Sequence, residues 1–199
     1  MGPQRTGETG VALVLIVLFG VSVIAQSWPG AFELDCGRVV EGEWWRLLTG
    51  NLVHCGWSHQ LTDMGAFVVL SWVLWRRTGR WGIVVLASAV AVGVAVFLWG
   101  GVATYRGMSG VNYALLAATV CSMAASERGS VRLLWSCVLA VVVGKVVVEA
   151  IAGQLAVNVC LPEGVVLVGV AHVAGIAVGI GSVAAWLTFT SSAPYAHDG

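Results

Sequence analysis

Apolar residues run along this chain in long blocks separated by short polar connections. Residues 11–26 are apolar nearly throughout, and 57–75 are apolar apart from His59, Gln60 and Asp63 near the start. Trp81–Trp99 is almost all Val, Ala and Leu, and 109–125 is a shorter run of small residues. Residues 131–152 carry Lys145 and Glu149, and 165–189 carry His172. Each block approaches the roughly 20 residues a helix needs to cross a hydrocarbon core, a length that favours a membrane span over a buried soluble helix. The pattern predicts an all-α fold, a polytopic membrane protein of six transmembrane helices. Trp28, Trp57, Trp75, Trp81, Trp99 and Trp186 fall at or near the block ends, where indole rings settle at the headgroup level.

Composition sharpens this picture. Of 199 residues, 58% are apolar and only 10% charged, with ten basic residues balancing ten acidic ones. A soluble domain carries about 25% charge, so an ordinary soluble enzyme, a disordered chain and a basic nucleic-acid binder are excluded. Six spans leave only short connections, so the whole chain, 1–199, is expected to be one membrane domain. Arg5, Arg76, Arg77, Arg80, Arg128 and Arg132 lie on one side of the expected topology, and Arg38, Arg46 and Arg106 on the other. That bias makes the first side cytoplasmic, with both termini inside and connections 27–56, 100–108 and 153–164 outside. Arg5, the first block and Val23-Ile24-Ala25 also have the form of a signal peptide. Cleavage would leave five spans and reverse the charge pairing, so an uncleaved helix is expected. Of the five cysteines, Cys121 and Cys137 read as packing residues within spans. Cys36, Cys55 and Cys160 fall outside, where a bridge is chemically allowed, and none has metal-site spacing.

Ionisable groups within a span are expensive and point to function. Ser109, in Gly107-Met108-Ser109-Gly110, stands where a loop containing Gly100, Gly101 and Gly107 turns into the fourth span. At a helix start it lies beside unpaired backbone N–H groups and the positive end of the helix dipole, the donors an oxyanion needs. A span from 109 to 126 is about 27 Å long, slightly short of a hydrocarbon core of about 30 Å. Ser109 would therefore sit just below the outer surface, within reach of water. Alone, GxSG is a weak signal, and a plain helix N-cap accounts for Ser109 better. His172 changes this, because Gly175 and Gly179 share its helix face and the fourth span offers a matching small strip in Gly110, Ala114, Ala117 and Cys121. Packing the two strips brings His172 towards Ser109 as a general base. His59 and Asp63, one turn apart on the second span, can build a site for developing negative charge.

These segments resemble the rhomboid family of intramembrane serine proteases. Trp45-Arg46 followed by His54, His59 and residue 63 is similar to its WR…H…HxxxN region. Gly107-Met108-Ser109-Gly110 with Tyr113 is similar to GxSG…Y, and Ala171-His172-Val173-Ala174-Gly175 with Gly179 to AHxxGxxxG. The resemblance runs over residues 43–179. It implies that Ser109 is the nucleophile and His172 its base, without a third acid. It also implies that His59 and residue 63 hold the oxyanion and that Tyr113 stacks on His172. The implied partners are the lipid bilayer and transmembrane segments of substrate proteins, with no cofactor and no metal. Residues 43–59 and Tyr105-Arg106-Gly107-Met108-Ser109-Gly110 resemble the rhombosortase branch most. That implies a bacterial inner membrane and substrates with a C-terminal sorting helix.

Asp63 departs from the family's usual Asn. A carboxylate only accepts hydrogen bonds, so it must either stay protonated and donate or act by orienting His59, the second being favoured. Three other readings stand beside the protease. His54, His59 and Asp63 are ligand types for zinc, although that leaves Ser109 and His172 unexplained. A non-catalytic relative would bind transmembrane helices without cutting them. A transporter would show internal repeats, which are not evident. Lys145 and Glu149, at i and i+4, read as a mutually neutralising pair, and the resemblance implies a substrate-gating role for their helix as the alternative. Arg46 beside Trp44 and Trp45 reads as an interfacial anchor.

Overall fold

A computed structural model of the protein describes residues 3–152 and 168–191. In chain order the elements are α1 (Pro3–Gln26), α2 (Pro29–Phe32), β1 (Leu34–Asp35), α3 (Cys36–Val40), α4 (Arg46–Thr49), α5 (Trp57–Thr78), α6 (Trp81–Trp99), β2 (Thr104–Tyr105), α7 (Ser109–Ser126), α8 (Gly129–Ala152) and α9 (Gly169–Ser191). The long helices follow the apolar blocks, with shifted ends. α1 begins at Pro3, and α5 continues past its apolar part to Thr78, where Gly79 adopts a left-handed φ of +67° that closes a helix without Cβ strain. The connection 153–164 with Cys160, residues 165–167 of the sixth block and the C-terminal end lie outside the described residues.

Among the described residues, four helices are long and apolar enough to cross a membrane: Gly7–Gln26, Trp81–Trp99, Gly129–Ile151 and Gly169–Phe189. α5 and α7 are not among them, which departs from six equivalent apolar spans. The reason lies in their surroundings. α7 packs against α5, α6, α8 and α9 and buries Gly110, Val111, Asn112, Ala114, Leu115, Ala117 and Ala118. A helix whose neighbours are protein can carry polar groups that lipid would penalise. α5 spends its polarity inward in the same way: Gln60 is buried and donates to Ser22 Oγ of α1 at 3.2 Å, and its Asp63 carbonyl accepts from Asn112 Nδ2 at 2.9 Å.

The segment between α1 and α5 is more structured than a simple connection, and it adds a two-stranded ribbon to the all-α expectation. β1 pairs antiparallel with β2, Leu34 opposite Tyr105 and Asp35 opposite Thr104. Buried backbone must find partners, and here the two connections satisfy each other: Cys36 N–H donates to Ala103 O at 2.9 Å and Gly107 N–H to Gly50 O at 3.1 Å. Arg46 is corrected from interfacial anchor to internal brace. Only 2% of it is exposed, and it donates to the Glu43 carboxylate at 2.5 Å and to the carbonyls of Gly30 and Glu33 at 3.1 and 2.8 Å. Arg106 adds a second tie, to Glu33 at 2.7 Å. Trp44 and Trp45 remain exposed beside it. α4 in turn presses so closely on α6 that a Cβ at Gly93 would run into the Leu47 carbonyl.

The α7–α9 seam is the closest helix contact that bears on the site. A Cβ at Gly175 would collide with the Gly110 carbonyl oxygen, and one at Gly179 with that of Ala114. From the other side, a Cβ at Gly110 would lie 2.8 Å from Ala171 O and 2.7 Å from Val92 Cγ2. Small residues on both faces let the backbones meet.

Candidate active site

Ser109 opens α7, and the loop before it is held on both sides. Gly107 has φ +145°, a conformation that favours glycine. Its carbonyl accepts from the Tyr105 hydroxyl at 2.9 Å, besides the Gly50 bond of its N–H. Burial, with the Asp63 charge nearby, pushes the Tyr105 phenol well above its ordinary value, so it stays a neutral donor. In the first turn of α7 the Asn112 N–H is donated back to Met108 O. The N–H groups of Ser109, Gly110 and Val111 precede that bond, as at any helix start.

His172 lies in the first turn of α9 and is 3% exposed. Its Nε2 is 2.9 Å from Ser109 Oγ. The Tyr113 ring, one turn along α7 from Ser109, lies against the imidazole with centroids 4.4 Å apart and planes tilted 43°. On the other edge of the ring, Nδ1 is 3.2 Å from Glu149 Oε2 of α8. Glu149 is wholly buried, and its Oε1 is paired with Lys145, which also donates to the Tyr113 hydroxyl at 2.6 Å. The structure thus brings Ser109, His172 and Tyr113 together across the seam of Gly110, Gly175 and Gly179.

The other sequence-selected residues approach the loop before Ser109, His59 and Asp63 from α5 and His54 from the segment that precedes it. His59 Nε2 and His54 Nε2 each lie 3.4 Å from Asp63 Oδ2, and the two rings pack edge to face at 5.1 Å. Asp63 Oδ2 also accepts the Met108 N–H at 3.2 Å. His59 and Asp63 border Gly107, where a Cβ would lie 3.6 Å from His59 Cε1 and 3.9 Å from Asp63 Oδ2. The residues of the zinc reading therefore converge with both imidazoles on one carboxylate oxygen. Among the described residues no group of three or more His, Cys, Asp or Glu is arranged to hold a metal ion.

A family model described as Rhomboid domain matches residues 41–190, a stretch that contains every residue of this site. The chain belongs to the rhomboid family. No curated protein matches it. With its apolar helices, this rhomboid is an integral membrane protein.

One feature departs from what the rhomboid resemblance implies. That resemblance brings no third acid, yet Glu149 sits on the Nδ1 of His172. From the sequence, Glu149 reads as the neutralising partner of Lys145 or as part of a substrate-gating helix, not as a partner of His172. That ion pair is present, but it engages one carboxylate oxygen and leaves the other for the imidazole. The available signal was the cost of a carboxylate within a span. Tyr105 was missed as well: its grip on the Gly107 carbonyl has no spacing signature in the sequence.

Proposed function

We propose that this rhomboid is an intramembrane serine endopeptidase that cuts membrane-anchored proteins within or beside a transmembrane helix, using a Ser109–His172 pair. One observation carries the reading: an imidazole nitrogen 2.9 Å from a serine hydroxyl at the first turn of a buried helix, inside a rhomboid domain. His172 Nε2 takes the Ser109 proton as Oγ attacks the scissile carbonyl. The oxyanion that forms is held by the Ser109 N–H and the His59 side chain. His172 returns the proton to the leaving amine, and water then hydrolyses the acyl-enzyme. These steps use neither metal nor cofactor. The substrate helix must unwind locally, since its carbonyls are otherwise engaged, and helix-weakening residues at the cut favour this.

In this reading α5 and α7 cross the bilayer with the four more apolar helices, giving six crossings. Arg76 pairs with Glu8, and Arg77 reaches Ser126 at 2.9 Å, so the start of α1 and the ends of α5 and α7 gather at one end. We assign that end to the cytoplasm and the membrane to the inner membrane of a bacterium. The rhombosortase likeness at Tyr105-Arg106-Gly107-Met108-Ser109-Gly110 narrows the substrates to proteins with a C-terminal sorting helix. Purified protein and its Ser109→Ala variant, each incubated with membrane-anchored proteins of the same cell, test the reading. A fragment ending within or next to a transmembrane segment is expected from the wild type alone. Equal fragments from both would refute it, and tight helix binding without cleavage would favour the non-catalytic relative.

Asp63 acts through His59 in this account: its Oδ2 lies 3.4 Å from His59 Nε2, which orients the ring, and it accepts the Met108 N–H at 3.2 Å. Asp63→Ala is expected to lower the cleavage rate by about 10²-fold, the scale of one oxyanion donor. Asp63→Asn is expected to keep more activity than alanine and to change its pH dependence. If rate and pH profile both stay at wild-type values in the asparagine variant, Asp63 plays no part in holding the oxyanion.

A further inference from the structure

We infer that Glu149 is a positioning residue for His172, so that Ser109, His172 and Glu149 act as a triad, an inference that rests on the protease reading above. A neutral imidazole has one N–H and one lone pair. Glu149 Oε2, an acceptor 3.2 Å from Nδ1, requires the proton on that nitrogen. The lone pair is then on Nε2, which faces Ser109 Oγ at 2.9 Å. The tautomer that can take the serine proton is thereby selected before substrate arrives, and the carboxylate is in place to stabilise the imidazolium that follows.

The carboxylate is itself fixed. Lys145 holds its other oxygen and also donates to the Tyr113 hydroxyl, and the Tyr113 ring lies against the imidazole face. Four side chains from α7, α8 and α9 thus close a ring that orients His172 by edge and by face. Backbone packing holds the same register: a Cβ at Gly169 would lie 2.8 Å from the Cα of Ala150, next to Glu149. Mere neutralisation of Lys145 would use one oxygen and leave the geometry at Nδ1 unexplained.

The test uses the full chain in detergent and an alkyl fluorophosphonate, which reacts as Ser109 Oγ bonds phosphorus, fluoride departs and the proton passes to His172. Glu149→Gln is expected to lower the limiting inactivation rate by about 10²–10⁴-fold with the inhibition constant unchanged. Glutamine can offer Nδ1 an N–H and so trap the wrong tautomer. Glu149→Asp, which keeps a carboxylate, is expected to recover part of the rate. Because Glu149→Gln leaves Lys145 unpaired and can destabilise the fold, Lys145→Met with Glu149→Gln is measured too, since removing both charges is far milder. The double variant is expected to stay slow at a wild-type melting temperature. Wild-type rates in the double variant would overturn the positioning role and leave the protease reading intact. No reaction of the wild-type protein at Ser109 would overturn both.

Discussion

Replacing His172 by alanine is expected to lower cleavage by about 10⁴-fold or more, at little cost to the fold. Among the described residues, the imidazole Nε2 of His172, at 2.9 Å, is the basic group within hydrogen-bonding distance of Ser109 Oγ. A serine hydroxyl without a base is a poor nucleophile, and removing either partner of such a pair costs most of the rate. The fold tolerates the change because Glu149 keeps Lys145, so no carboxylate is left buried alone. The expected loss of stability is about 2 kcal/mol, that of an ordinary core truncation. Single-turnover cleavage of a transmembrane substrate, read beside a thermal melt, checks both parts. A loss smaller than about tenfold, below the range for general-base removal, would mean that another group takes the proton.

The second large effect comes from a single methyl group. Gly175→Ala places a Cβ against the Gly110 carbonyl oxygen and 3.3 Å from the Ala114 nitrogen. Neither backbone atom can swing aside as a side-chain tip would, so α7 and α9 must separate. Overpacking of this kind costs about 1–3 kcal/mol. Ser109 and His172 stand on the two helices being parted, and a misplacement of about 1 Å can cost about 10²-fold in rate. A lower melting temperature together with a fall in kcat of that order is expected. Gly181, on the same helix, has open space where a Cβ would be, so Gly181→Ala serves as the control and should change neither quantity. Equal behaviour of the two alanine variants would mean that the seam does not set the geometry of the site.

Much of this was legible in the sequence because small residues at helical spacing mark a face. His172, Gly175 and Gly179 on one helix and Gly110, Ala114 and Ala117 on another define two strips that can only lie close together if they face each other, and the meeting of Ser109 with His172 follows. The long helices were legible from apolar length, though not their ends. α5 runs on through Arg76 and Arg77, whose charge masks continued helix, and stops only where Gly79 can turn. Other features left no periodic trace. Strands of two residues are too short to alternate, so the β1–β2 ribbon was invisible. Arg46 is buried by partners that include two main-chain carbonyls, and any sequence supplies those. Glu149 lies one turn from Lys145 but 23 residues from His172. Its second contact depends on how α8 and α9 are rotated against each other, and that is set by the tight approach of Gly169 to Ala150.

If His172 activates Ser109, labelling resolved to the residue will show it. The purified chain is treated with an alkyl fluorophosphonate, and the adduct is located by mass spectrometry in the wild type and in His172→Ala. Modification of Ser109 is expected in the wild type, and its loss in the variant. An unmodified Ser109, or equal labelling with and without the imidazole, would contradict that activation.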